Sequence, residues 1–240
     1  MILNGGSTGG AVTNSNATAA TASGAVTIAS AASIDGANAL SFTGVVTAGS
    51  NGIAFVGAGT YSMNNSLNTL ATIATSSTPV AGLTIANSST LTIGSVTVNG
   101  TTYSGLAVVG NLTINAPLNI NGNITTGGTQ TYNGVVNITG TSTLATYTGG
   151  TGSTQANKAI AFATTVNGPG ALTITNGSAA TTFGDEVGGT TALASLNITG
   201  TGTTSLSGNI TTVGAQSYGG NVSLRADNVQ LNTTNSAVTI

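Results

Sequence analysis

Gly122-Asn123-Ile124-Thr125-Thr126-Gly127-Gly128-Thr129-Gln130-Thr131-Tyr132-Asn133-Gly134-Val135-Val136 returns 86 residues later (208 − 122) as Gly208-Asn209-Ile210-Thr211-Thr212-Val213-Gly214-Ala215-Gln216-Ser217-Tyr218-Gly219-Gly220-Asn221-Val222. Ten of the fifteen positions are identical without a gap. Gln, Tyr and Ile are uncommon in this chain, so a bias toward Gly and Thr does not produce the match. A shorter echo pairs Asn137-Ile138-Thr139-Gly140-Thr141 with Asn197-Ile198-Thr199-Gly200-Thr201. Such repetition marks architectures that stack one small unit on the next.

Around the copies, apolar residues come in triplets with a polar residue at the centre. Val26-Thr27-Ile28, Leu83-Thr84-Ile85, Leu91-Thr92-Ile93, Leu112-Thr113-Ile114, Leu118-Asn119-Ile120, Val136-Asn137-Ile138 and Leu196-Asn197-Ile198 are examples. Side chains alternate across a strand, so each triplet turns two apolar groups inward and one Thr or Asn outward. Clusters of Gly, Asn, Ser and Thr separate the triplets as turns. No segment carries a 3.6-residue apolar period, and the density of Gly and Thr disfavours helix.

The strongest triplets lie about 20–30 residues apart, near the period of stacked β-coils. The fold expected is therefore all-β, a right-handed parallel β-helix (β-solenoid). Roughly ten coils rising about 4.8 Å each make a rod on the order of 50 Å long. A β-sandwich is the alternative that many short strands also satisfy. Near-identical strands recurring along the chain favour the solenoid.

Along the chain, residues 1–39 read as a low-complexity leader, a cap or an edge coil, rich in Ala, Gly, Ser and Thr. Residues 40–240 read as the solenoid proper, with repeat copies starting near 118 and 204. The start has no cationic and apolar export signal, and no run of 18 apolar residues exists to span a membrane as a helix. The repeat pattern also stops mid-strand at Val238-Thr239-Ile240, which is expected of a piece of something longer.

Composition narrows the chemistry. Soluble domains carry about 25% charged residues. This chain of 240 has six: Lys158 and Arg225 against Asp35, Asp185, Glu186 and Asp227. It has no His, Cys or Trp, while Gly, Thr, Ser and Asn number 36, 47, 24 and 26. Thiolate and imidazole metal sites, and nucleophiles activated by His, are excluded. Two cations cannot replace the counterions of a nucleic acid, so that class of partner is excluded too.

The segments Gly170-Ala171-Leu172-Thr173-Ile174, Thr182 to Leu196 (TFGDEVGGTTALASL) and Gly208 to Gly220 resemble the degenerate repeats of large bacterial exoproteins. These are the filamentous-haemagglutinin-like and autotransporter-type adhesins. The resemblance covers residues 116–240 well and the first half in composition only; Asn51-Gly52-Ile53-Ala54-Phe55 is faintly similar to an element of their secretion domains. The resemblance implies a secreted β-helix acting as a surface stalk or adhesive fibre, located outside the cell. It implies partners among host or cell-surface glycans and proteins, or copies of the chain itself, and no catalytic site.

The candidate residues are few. Asp185 and Glu186 are adjacent acids that suit a solvated turn better than acid–base work, because neighbours on a strand face opposite ways. Arg225 and Asp227, two apart, share a face if extended and form at most a weak surface pair. Lys158 is a solvated turn residue or the nucleophile of an isopeptide crosslink to an Asn. Tyr132 and Tyr218 occupy equivalent repeat positions and suit aromatic bracing between turns better than a sugar platform.

Thr129/Thr131, Thr141/Thr143, Thr173/Thr175 and Thr201/Thr203 have the local pattern of a water-ordering array but no constant spacing. Twelve Asn-x-Ser/Thr sequons occur, among them Asn111, Asn123, Asn137, Asn197 and Asn209. No residue is assigned a catalytic, cofactor-binding or metal-ligating role. The leading expectation is a non-enzymatic structural or adhesive segment. The alternatives are a self-assembling filament subunit stacking end to end, and a carbohydrate-active β-helix enzyme.

Overall fold

Strands of two to five residues recur through the chain, each too short to bury a face alone and each paired with its counterpart one coil away. The computed structural model describes residues 1–3, 11–15, 17–150 and 154–240. Within them the strands stack in parallel as a β-solenoid of about eleven turns. The one antiparallel strand pair among the described residues is the hairpin Ser95–Val98/Thr101–Ser104.

Two sheets run nearly the whole length. The first sheet begins with Val12–Asn14, Ala32–Gly36, Gly52–Phe55 and Thr72–Thr75, and continues through Leu91–Ile93, Leu118–Ile120, Val136–Ile138 and Val166–Asn167. Bridges through Val187 carry it on to Ile210–Thr212 and Leu231–Thr233. The second sheet holds ten strands from Ala20–Ala22 to Val222–Leu224.

The third side changes place. In the first coils it lies on the path from the second sheet back to the first, as Ile2–Leu3, Val26–Ile28 and Val46–Thr47, ending with a bridge from Thr47 to Thr69. Later it lies on the path from the first sheet to the second, as seven strands from Leu106–Val108 to Val238–Thr239. Val80 bridges to Val108 at the start of this fourth sheet. The coil from Thr72 to Leu91 holds the hand-over: Val80 pairs forward, while Ser88 N–H donates back to the Asn68 carbonyl at 2.8 Å.

Coil length varies although register does not. Ile53 pairs with Ile73, 20 residues on (73 − 53), and Ile120 with Ile138, 18 on (138 − 120). Val136 pairs with Val166, 30 on (166 − 136), because 13 residues (159 − 146) link Ser142–Thr146 to Ile160–Phe162. Pro79, Pro117 and Pro169 all sit between strands, where a missing N–H breaks no ladder.

Stacking puts like on like in the interior. Ile53, Ile73, Ile93, Ile120 and Ile138 form a ladder over five coils, all fully buried. On the second sheet Tyr132, Phe162 and Phe183 stack with centroids 5.0 and 5.1 Å apart and planes inclined by 15° and 1°. A small second apolar cluster lies outside the stack of coils. There Val96 and Val98 of the hairpin cover Ala54 and Ala74 on the outer face of the first sheet. Only small residues admit the hairpin: a Cβ on Gly52 would stand 2.8 Å from both Val96 methyls.

The two repeat copies fold alike on different sides. Ile124–Thr126 lies in the fourth sheet and Gln130–Tyr132 in the second, whereas Ile210–Thr212 lies in the first and Gln216–Tyr218 in the fourth. At the matching positions Gly134 and Gly220, a Cβ would run into the carbonyls of Ala116 and Gly202 of the preceding coil. Residues 12–36 also carry strands that pair onward to 42, so the low-complexity start contributes to the stack. No helix among the described residues is long and apolar enough to cross a membrane.

Candidate functional site

The charged candidates form no ion pair with one another among the described residues. Asp185 and Glu186 are exposed on the turn after Thr181–Phe183, where Asp185 Oδ1 accepts the Glu186 N–H at 2.8 Å. That bond orders the turn, as a short acid does beside an exposed amide. Arg225 and Asp227 are exposed beyond Val222–Leu224 and form no ion pair among the described residues. Lys158 is exposed, and its backbone N–H donates to Thr146 Oγ1 at 3.3 Å. Among the described residues no three acids gather as a metal site. Tyr132 and Tyr218 are buried inside the stack, which removes both from any surface site.

Outward side chains form ladders that follow register rather than sequence spacing. On the second sheet Thr21, Ser41, Ser62, Thr84, Thr113, Thr131, Ala161, Thr182, Ser205 and Ser223 succeed one another coil by coil. Nine of these ten rungs carry a hydroxyl, so the second sheet has one near-continuous hydroxyl row. The Thr-x-Thr pairs do not share a face. Thr131 lies on the second sheet, while Thr143 and Thr173 are neighbours on the fourth.

Asparagines brace the corners. Oδ1 of Asn111, Asn123, Asn157, Asn167 and Asn209 accepts a backbone N–H from Thr129, Thr143, Ser178, Thr190 and Gln230 of the next coil, at 2.9–3.0 Å. Among the sequons, Asn137 donates its Nδ2 to Asn119 Oδ1 at 3.2 Å, tying up the nitrogen that glycosylation uses. Asn197 stands exposed on its strand.

A surface hollow lies beside the hairpin. Its volume is about 460 Å³. One wall is Thr75, Ser76 and Ser77 at the end of a first-sheet strand; the second is Thr101 to Ser104 of the hairpin. Leu106, Ala107 and Thr125 from the first two strands of the fourth sheet, with Asn123 just before the second, make the remainder. The cleft exists because the third side changes place here: the hairpin fills the link between Leu91–Ile93 and the start of the fourth sheet.

Its lining is chemically uniform. No Asp, Glu, Lys or Arg contributes, and eight of the eleven lining residues carry a hydroxyl. Tyr103 also packs on the outer apolar cluster, so its ring is half-buried while it lines the cleft. Thr75 Oγ1 accepts the Ala107 N–H at 2.8 Å, which pins the floor. Such a lining donates and accepts hydrogen bonds but holds no carboxylate or amine to move a proton.

Neither a protein-family model, nor a curated protein, nor a solved structure matches this chain.

The site therefore rests on its own residues. Reading the chain for apolar triplets passes over it, although a signal exists. Val96-Thr97-Val98-Asn99-Gly100-Thr101-Thr102-Tyr103 places Asn-Gly between two alternating strands, the strongest local hairpin pattern. Asn99 and Gly100 take φ of 49° and 80°, the positive values that such a two-residue turn demands.

Proposed function

We propose that this chain is a structural and adhesive segment, a stalk or fibre, of a secreted or surface-exposed bacterial protein. The observation that carries the reading is the ladder system. About eleven coils stay in register while their outward rungs are Thr, Ser, Asn and Ala with almost no charge. Each coil contacts its neighbours alone, so length adds reach without a new core. Uncharged rungs repeat about every 4.8 Å without like-charge repulsion. The resemblance of residues 116–240 to exoprotein repeats supports the same reading.

The test uses the full protein in its source cell. Antibody against the chain should label intact cells, and labelling that requires permeabilised cells would refute a surface role. Removing residues 204–221, one 18-residue coil that contributes nothing to the cleft and whose loss leaves Val222 in the place of its partner Thr204, should leave labelling and attachment to a surface intact with a shorter reach. Loss of attachment with retained labelling would show that this coil does more than space.

A further inference from the structure

We propose that the cleft beside the 95–104 hairpin is a binding site for an uncharged oligosaccharide. The inference deepens the adhesive reading by giving it a ligand class, and it rests on that reading for its biological meaning alone.

Size admits the ligand. A hollow of about 460 Å³ falls within the roughly 300–1,000 Å³ of small-molecule sites. Charge then restricts it. Anionic ligands are held by Lys or Arg and cationic ones by carboxylates, and the lining has neither. What remains is a dense set of hydroxyl and amide groups that donate and accept at once, which is the complement of a polyol.

Several of those groups are uncommitted. The side-chain hydroxyls of Tyr103, Ser104 and Thr125 make no hydrogen bond to the described protein. Asn123 spends Oδ1 on the Thr143 N–H at 3.0 Å and keeps Nδ2 unpaired. Tyr103 adds a flat apolar surface with a polar tip, suited to a ring that is apolar on its faces and hydroxylated at its edge. The second hollow, of about 420 Å³ near Ser41 and Ser62, makes a useful contrast. There Asn65 donates to the Thr43 carbonyl at 3.1 Å and accepts from Leu67 N–H at 3.0 Å, so its amide serves the fold. Its one aromatic, Phe42, is buried.

Position supports the assignment as well. The hairpin is an insertion on a rigid, repetitive scaffold, the arrangement in which a variable segment carries recognition while the scaffold holds it.

The experiment applies the full chain to an array of uncharged tetrasaccharides of glucose, mannose, galactose and N-acetylglucosamine, beside sialylated and sulfated sugars. Each retained tetrasaccharide is titrated by calorimetry against the native chain, Tyr103→Ala and Thr125→Tyr. The expected result is retention of an uncharged class with Kd weakened at least about tenfold by either substitution. Thr125→Tyr fills the cleft from the fourth sheet, so it stays informative if Tyr103→Ala loosens the hairpin. Retention of no uncharged sugar, retention of acidic sugars alone, or a Kd unmoved by both variants overturns the proposal. The array reads binding and surface labelling reads location, so the two readings fail separately.

Discussion

Tyr132 donates its phenolic hydrogen to Oε1 of Gln130 at 2.8 Å, inside the solenoid and two residues along the same strand. Gln130 Nε2 in turn donates to Thr126 Oγ1 at 3.3 Å and to the Ala145 carbonyl of the next coil at 2.8 Å. Tyr218, Gln216 and Thr212 repeat the arrangement, with Tyr218 to Gln216 at 3.0 Å and Gln216 to the Asn232 carbonyl at 2.8 Å. The repeat thus preserves a closed polar network within the core. Buried polar groups are tolerated when every member is paired.

Removing the donor opens that network. Tyr132→Phe leaves Gln130 Oε1 buried without its partner, a loss of about 1–3 kcal/mol. The expected result is a lower denaturant midpoint with an unchanged slope. Tyr218→Phe should cost a similar amount, and two neutral substitutions would show that water replaces the phenol.

The same tyrosines predict alkaline sensitivity. Burial raises the Tyr132 and Tyr218 phenols well above their ordinary value. Burial first, then the negative charge of Asp35, pushes Tyr61 up to about 12, against a lowering hydrogen bond from the Gly57 backbone. In the unfolded chain all three titrate near 10, as unperturbed phenols do. Above that pH the unfolded state releases protons that the folded state keeps, so stability falls as pH rises. Below about pH 10 these groups leave stability flat. Tyr61→Phe should shallow the decline between about pH 10 and 12, measured by denaturation at stepped pH.

Phe162 sits between two stacked rings. Phe162→Ala should cost about 3–5 kcal/mol, whereas Ile93→Val in the neighbouring ladder should cost about 0.5–1.5 kcal/mol. Thermal unfolding monitored by circular dichroism separates the two, and equal small losses would mean that the aromatic stack collapses to fill its gap.

Register makes deletions discriminating. Residue 136 takes the place of residue 118 when 118–135 are removed, because Leu118 and Val136 are already Cα partners. That chain should fold. Removal of 118–134 places Val135 there and turns each following strand over unless a corner absorbs the slip, which should abolish cooperative unfolding.

Ala74 is fully buried beneath the hairpin although it lies on the outer side of the first sheet. Ala74→Asp should lift the hairpin by burying a carboxylate without a partner. Limited proteolysis near Asn99-Gly100 should accelerate while the solenoid's thermal midpoint changes little. A large fall in that midpoint would show that the hairpin supports the coils.

Much of the fold is legible in the triplets. Leu118-Asn119-Ile120 and Val136-Asn137-Ile138 announce both their strands and which side chains go inward, because alternation is local. The cleft is less legible. Thr75, Tyr103 and Thr125 are far apart in sequence and meet through coil stacking. The hydroxyl row is hidden for a related reason. Its rungs are separated by 18 residues between Thr113 and Thr131 (131 − 113) and 30 between Thr131 and Ala161 (161 − 131). A search at constant spacing misses a row that constant register builds.

Sequence alone therefore determined the repeating unit: a strand of about three residues, with two side chains inward and one outward, and a turn. These depend on side-chain alternation and on bonds within a few residues. Only the tertiary structure decided which side of the coil each unit occupies. From Leu118 to Val136 successive strands start every six residues, and the same spacing runs from Thr204 to Val222. Eleven such sides separate Ile124 from Ile210, and eleven is not a multiple of three, so the two copies face different ways. The exchange of the third side near Val80, and the cleft beside it, follow from how unequal coils share one core, a sum over many residues that no single motif contains.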